Sequence, residues 1–152
     1  MTITFVGHSF VPEIDSIKHL IKEQIQNNVD DAESVICYIG GYGDFDGICA
    51  HVCRELKSEY KGLEIIYVTP YIGVSEQKKI KEMQEYGLYD TFLYPPIENV
   101  PPRFAISKRN EWMIKNSELI IAYVDHNYGG AYKSFQFAKR NKKRIINICD
   151  LI

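Results

Sequence analysis

The stretch SVICYIGGYGDFDGICAHVCREL, residues 34–56, decides the fold. Its first six residues are near-continuously apolar rather than alternating, the pattern of a strand buried on both faces. Ile48, Val52 and Leu56, with Tyr60 beyond them, then recur every four residues, and Cys49 and Cys53 sit beside them, which predicts one buried helix face. Between strand and helix, residues 38–47 hold Gly40, Gly41, Gly43 and Gly47 with Asp44 and Asp46. A glycine turn running from a strand into a helix gathers backbone N–H groups at the positive end of the helix, where a phosphate fits.

The same unit recurs on either side. Apolar runs at residues 2–6, 64–69, 119–124 and 144–148 predict further strands. Between them, Ile14, Ile17, Ile21 and Ile25 form one helical face. Further helices are predicted over residues 75–86, 103–116 with Trp112 and Met113 facing inward, and 131–141. Strand and helix alternating throughout give a Rossmann-like α/β domain, a three-layer sandwich on a mostly parallel central sheet, expected to occupy residues 1–152 as one domain. The run LYPPIENVPPR, residues 93–103, carries four prolines and reads as a stiff connection that cannot be helical.

Composition narrows the function. The chain has 152 residues, 45% hydrophobic and 25% charged, enough for a core of its own. A net charge of −2 provides no global positive field, which argues against nucleic acid or anionic lipid as partners. Its apolar runs, such as ELIIAYV at residues 118–124, fall far short of the ~20 residues needed to cross a bilayer, and the start MTITFVGHSF has no basic segment before a long apolar one. A cytoplasmic location is therefore expected. Cys37, Cys49, Cys53 and Cys149 lie in apolar surroundings and read as reduced core thiols. No zinc-spaced ligand pairs, GxSxG elbow, HExxH or Walker A lysine occurs, and the third glycine of a GxGxxG pattern falls on Asp46. Neither a metal nor a resident cofactor is expected.

In an open parallel sheet, ligands bind beyond the carboxyl ends of the strands. The loops there hold Gly7-His8-Ser9, the glycine loop, Pro70-Tyr71, and Asp125-His126-Asn127-Tyr128-Gly129-Gly130, and all four are expected on one edge. Gly40, Gly41 and Gly43 are candidates for wrapping phosphate, Asp46 for ribose hydroxyls, and His8 for a phosphate or a base. Arg109 with Asn110 could grip phosphate, since guanidinium binds it bidentately. Gly129-Gly130 precedes a helix and offers a second anion cradle, with Tyr128, Tyr132 and Lys133 alongside. Tyr42, Tyr71 and Tyr128 could stack a planar base. The plain alternatives are a tight turn with Asp44 or Asp46 as helix cap, a structural histidine and a solvated polar face.

Taken together, TFVGHS, YIGGYGDFDG, VTPY and SKRNEWMIKNSELIIAYVDHNYGGAYKSFQFAKRNKKRIINI resemble the SLOG superfamily of Rossmann-like nucleotide-binding domains. The resemblance is to its small bacterial and phage members of the YpsA/YoqJ type (DUF1273), and it spans nearly the whole chain. It implies binding of a nucleotide-derived ligand, for which Gly7 joins the candidate contacts above. The superfamily also contains DprA and the LOG-type phosphoribohydrolases. Against the LOG motif PGGxGTxxE, the chain keeps Gly40, Gly41 and Gly43 but has Asp44 at the threonine and Gly47 at the glutamate. The position matching the nucleophilic glutamate of nucleoside deoxyribosyltransferases is Ser134, and the arginine of a GHR start is replaced by Ser9. A hydroxyl cannot stabilise an oxocarbenium charge as a carboxylate does.

Three readings follow. The chain is expected to bind a nucleotide-derived small molecule, ADP-ribose-like or another nucleotide signal, as a sensor or sequestering protein rather than an enzyme, with homo-oligomerisation as an added possibility. An N-glycosidase or phosphoribohydrolase would have to use Asp44 or Asp46 as its acid or nucleophile. A DNA-associated, DprA-like module would need Lys139, Arg140, Lys142, Lys143 and Arg144 as a basic stripe.

Overall fold

A computed structural model describes residues 1–30 and 33–152. Six parallel strands form one sheet in the order β4-β3-β2-β1-β5-β6. They are β1 (Thr2–Gly7), β2 (Val35–Ile39), β3 (Leu63–Val68), β4 (Thr91–Leu93), β5 (Leu119–Tyr123) and β6 (Arg144–Asn147). Helices α1 (Ile14–Asn28), α2 (Gly43–Leu56), α3 (Val74–Tyr86), α4 (Ala105–Lys115) and α5 (Gly129–Arg140) connect them. The α/β Rossmann-like class expected from alternation is the one observed.

The unbroken apolar runs have a direct cause. Side chains alternate across a strand, so in β1 Ile3 and Phe5 enter the larger core with α1 and α2 while Val6 packs on the other face with Ile114 of α4 and Ala138 of α5. In β5, Leu119, Ile121 and Tyr123 face the first layer and Ile120 the second. Ile17, Ile21 and Ile25 of α1 are buried, whereas Ile14, expected on the same face, is about half exposed in the first turn. Cys37, Cys49 and Cys53 are buried, Cys149 is half-buried, and all four are free thiols. Among the described residues no helix is long and apolar enough to cross a membrane.

Two expectations need correction. The proline-rich connection contains a one-turn 3-10 helix at Pro102–Phe104, because proline's fixed φ and missing N–H suit the first position of a helical turn. The helix expected from residue 131 starts at Gly129, so the glycine pair belongs to its first turn. The three-residue edge strand β4, only partly buried, carries no periodic signal and is absent from the sequence reading.

Candidate functional site

The chain leaves β1 toward β2 on one side and later returns to β5 on its other side, which makes the β1/β5 boundary the topological switch point. A pocket of about 680 Å³ opens there. Gly7 and His8 reach it from the end of β1, and Gly40, Tyr42, Gly43 and Asp46 from the loop into α2. Arg109 and Asn110 enter from α4, and Gly129 and Gly130 from the start of α5. These ten residues and Tyr128, all singled out in the sequence, thus line one cavity. Gly41, Asp44 and Tyr71 lie outside it.

Tyr71 follows β3, where its N–H donates to Thr69 Oγ1 at 3.3 Å, and it borders a separate depression with Pro70, Gly73 and Glu76. Asp44 is exposed and joins loops: its Oδ2 accepts the Val11 N–H at 3.1 Å and its own N–H donates to Ser9 O at 2.8 Å.

The loop glycines answer mainly to neighbouring protein atoms. At Gly41, φ is +77° and a Cβ would stand 2.0 Å from the Tyr67 ring. At Gly43, φ is +84° and a Cβ would meet Ser9 Cα at 2.6 Å. A Cβ on Gly40 would press against the Arg109 guanidinium at 3.0 Å. The other glycine pair is different: nothing lies within 4 Å of a Cβ built on Gly129 or Gly130. No side chain caps α5, whose N-cap is the extended residue Tyr128, and the first residues of the helix, Gly129, Gly130 and Ala131, line the cavity.

Arg109 is 2% exposed. Its Nη1 donates to Gly40 O at 2.8 Å and Val68 O at 2.7 Å, and Nε donates to Asn110 Oδ1 at 2.8 Å. The side chain thereby ties the carboxyl ends of β2 and β3 to α4, and among the described residues only Nη2 lacks an acceptor. Burial lowers its pKa, and the nearby Asp46 opposes that shift. Asp46 is itself pushed up to about 6 by burial, against the pull of the Tyr42 N–H, which its Oδ2 accepts at 3.0 Å, and of the Arg109 charge. A buried carboxyl at such a value holds a proton in mildly acidic solution and releases it near neutrality. Ser134 adds a buried hydroxyl to the wall.

On the α5 side, Asp125 orders two imidazoles. Its N–H donates to His8 Nε2 at 3.1 Å, and its Oδ1 lies 2.6 Å from His126 Nδ1. The two rings stack at 3.5 Å and 8°, and Tyr128 lies against His126 at 4.1 Å, tilted by 33°. Burial, and then the neighbouring His126, lower the pKa of His8, so it meets the cavity as a neutral ring rather than a cation. His8, Asp125 and His126 lie close enough to suggest a metal site, but lone pairs held in two near-parallel planes do not converge on one ion. Asp125 and His126 were visible in sequence only as members of the loop after β5. Phe10 and Ile106, which also line the pocket, are isolated apolar residues with no periodic or motif signal.

No curated protein matches this chain. Among solved structures, DNA processing protein A from Helicobacter pylori, described for its single-stranded DNA binding mode, is similar with a TM-score of 0.64 at 16% identity. The match covers 95% of this chain and 63% of that one, so this chain spans less than two thirds of its neighbour's length. The expectation that net charge argues against nucleic acid as a partner is corrected by this finding, because the same fold is found in a single-stranded DNA-binding protein. Local charge governs such contacts rather than the chain total. A family model described as the YspA SLOG family, named YpsA, matches residues 8–149, a span that includes every strand after β1 and every helix lining the pocket. The chain therefore belongs to the YpsA-type SLOG family of Rossmann-like domains.

Proposed function

We propose that the protein binds a nucleotide-derived small molecule, ADP-ribose-like or another nucleotide signal, in the switch-point pocket and serves to sense or sequester it. The observation that carries this reading is the start of α5, which no side chain caps and where Gly129 and Gly130 line the pocket with nothing within 4 Å of a Cβ built on either. Arg109 Nη2 adds a fixed positive charge to the same cavity, and Asp46 an acceptor for ribose hydroxyls. Family membership supports the ligand class. The test is thermal stability of the purified chain against AMP, ADP-ribose and NAD, followed by mass spectrometry of each sample. A shift with intact ligand is expected, since selective binding stabilises the folded state. Release of a free base, lost in Asp46→Asn, would replace the reading with glycosidic hydrolysis, and no shift with any compound would remove it.

A second reading, single-stranded nucleic acid, is favoured by the likeness to the DNA-binding chain. Such a strand presents the same nucleotide unit, and Lys139, Arg140, Lys142 and Arg144 are exposed around the end of α5. It predicts retention of a single-stranded oligonucleotide that falls by orders of magnitude between about 50 and 200 mM salt. Retention independent of salt, or none at low salt, would eliminate it.

A further inference from the structure

We propose that Tyr128 is the platform for the planar base of the ligand, which would lie on it as the fourth ring of the stack begun by His8 and His126. The inference rests on the nucleotide reading of the pocket and specifies which part of the ligand goes where.

The stack is built from inside outward. His8 is buried at the end of β1, held by the Asp125 N–H and by its own N–H donating to Tyr123 O at 3.2 Å. His126 lies parallel to it, its Nδ1 on the Asp125 carboxylate. Tyr128 covers His126 at 4.1 Å and 33° and is itself 69% exposed. One residue, Asp125, thus fixes both inner rings, through its backbone and its side chain. A ring supported from behind loses little freedom when a ligand stacks on its front.

The other tyrosines expected to stack a base are less suited. Tyr71 is outside the pocket. Tyr42 is engaged by cations of the protein itself, Lys79 Nζ at 4.6 Å and Arg109 Cζ at 5.3 Å from its ring centre. Tyr128 has its ring paired only with His126 among the described residues, and its hydroxyl has no hydrogen-bond partner there. It is also the residue immediately before Gly129, so the base platform and the backbone N–H groups for phosphate are adjacent on one wall of the cavity. A nucleoside monophosphate presents its base and its phosphate on either side of a ribose, which matches that adjacency.

The experiment titrates AMP and ribose 5-phosphate, which lacks the base, into the full chain and into Tyr128→Ala and Tyr128→Phe. Tyr128→Ala is expected to weaken AMP by about tenfold or more, the scale of base stacking on an aromatic side chain, and to leave ribose 5-phosphate unchanged. Tyr128→Phe should retain AMP affinity. In Tyr128→Trp, AMP and not ribose 5-phosphate should alter the fluorescence of the new indole. Unchanged AMP affinity in Tyr128→Ala, or equal losses for both ligands, would overturn the proposal while the pocket reading stands. Binding of neither ligand to the wild-type chain would overturn both.

Discussion

A glycine can be informative for opposite reasons. Gly41→Val would force a side chain into the Tyr67 ring from a left-handed backbone, and Arg109→Ala would strip the Gly40 and Val68 carbonyls of their donor. Both substitutions report on folding. Gly130→Asp is the cleaner probe, because its side chain enters open space and an acidic group in a first helical turn is stabilising. Melting temperature is expected to be unchanged or raised, while the new carboxylate repels a phosphate from the cradle. Asp46 supports a separate prediction. Its pKa is raised in the folded chain, from 3.8 to about 6, so between those values the native state holds more protons than the unfolded state. Its contribution is full below about pH 4 and is lost as pH rises through 6, by up to about 3 kcal/mol. Denaturant unfolding of wild type and Asp46→Asn over pH 3.5–7 should therefore show the wild type losing stability relative to the variant as pH rises from about 4 through 6; a constant difference would refute the raised pKa.

At the scale of elements, the sequence displays what is buried and periodic. β1, β2, β3, β5 and β6 are legible because helices cover both of their faces, and α1 and α2 because their buried residues recur at helical spacing. β4 is illegible because three half-covered residues at an edge have no period, and the start of α5 is displaced because glycine is a weak helix former even where it opens a helix. The end of α5 holds a further irregularity. Lys143 N–H donates to Ala138 O and Lys142 N–H to Lys139 O, a Schellman closure that places Lys142 at φ 55°, where glycine is the usual residue. Lys142→Gly should stabilise the chain by about 1 kcal/mol, raising the melting temperature by about 2–4 °C. A lower melting temperature would show that the lysine side chain contributes more to the fold than its backbone strain removes.

For the molecule as a whole, strand order turns a set of loops into a site. Loop composition alone brings four loops to one edge, and most of the candidate residues do line one cavity; the loop after β3 is held apart by Thr69 and Glu76, which sequence spacing cannot reveal. Which glycines serve the protein and which serve a ligand was equally hidden, since the answer depends on Tyr67, Ser9 and Arg109 arriving from distant parts of the chain. The inner ring stack was hidden too, because His8 and His126 meet only when β1 and β5 pair. Net charge is a poor guide for a related reason, since a chain total averages away the exposed Lys139, Arg140, Lys142 and Arg144 at the end of α5. The most direct test of the account is calorimetric titration of AMP into the wild-type chain and into Gly130→Asp at matched stability. Saturable binding to the wild type, weakened on the order of tenfold or more in the variant, is predicted. Equal affinity in the two folded proteins, or none in the wild type, would contradict a phosphate seated at the start of α5.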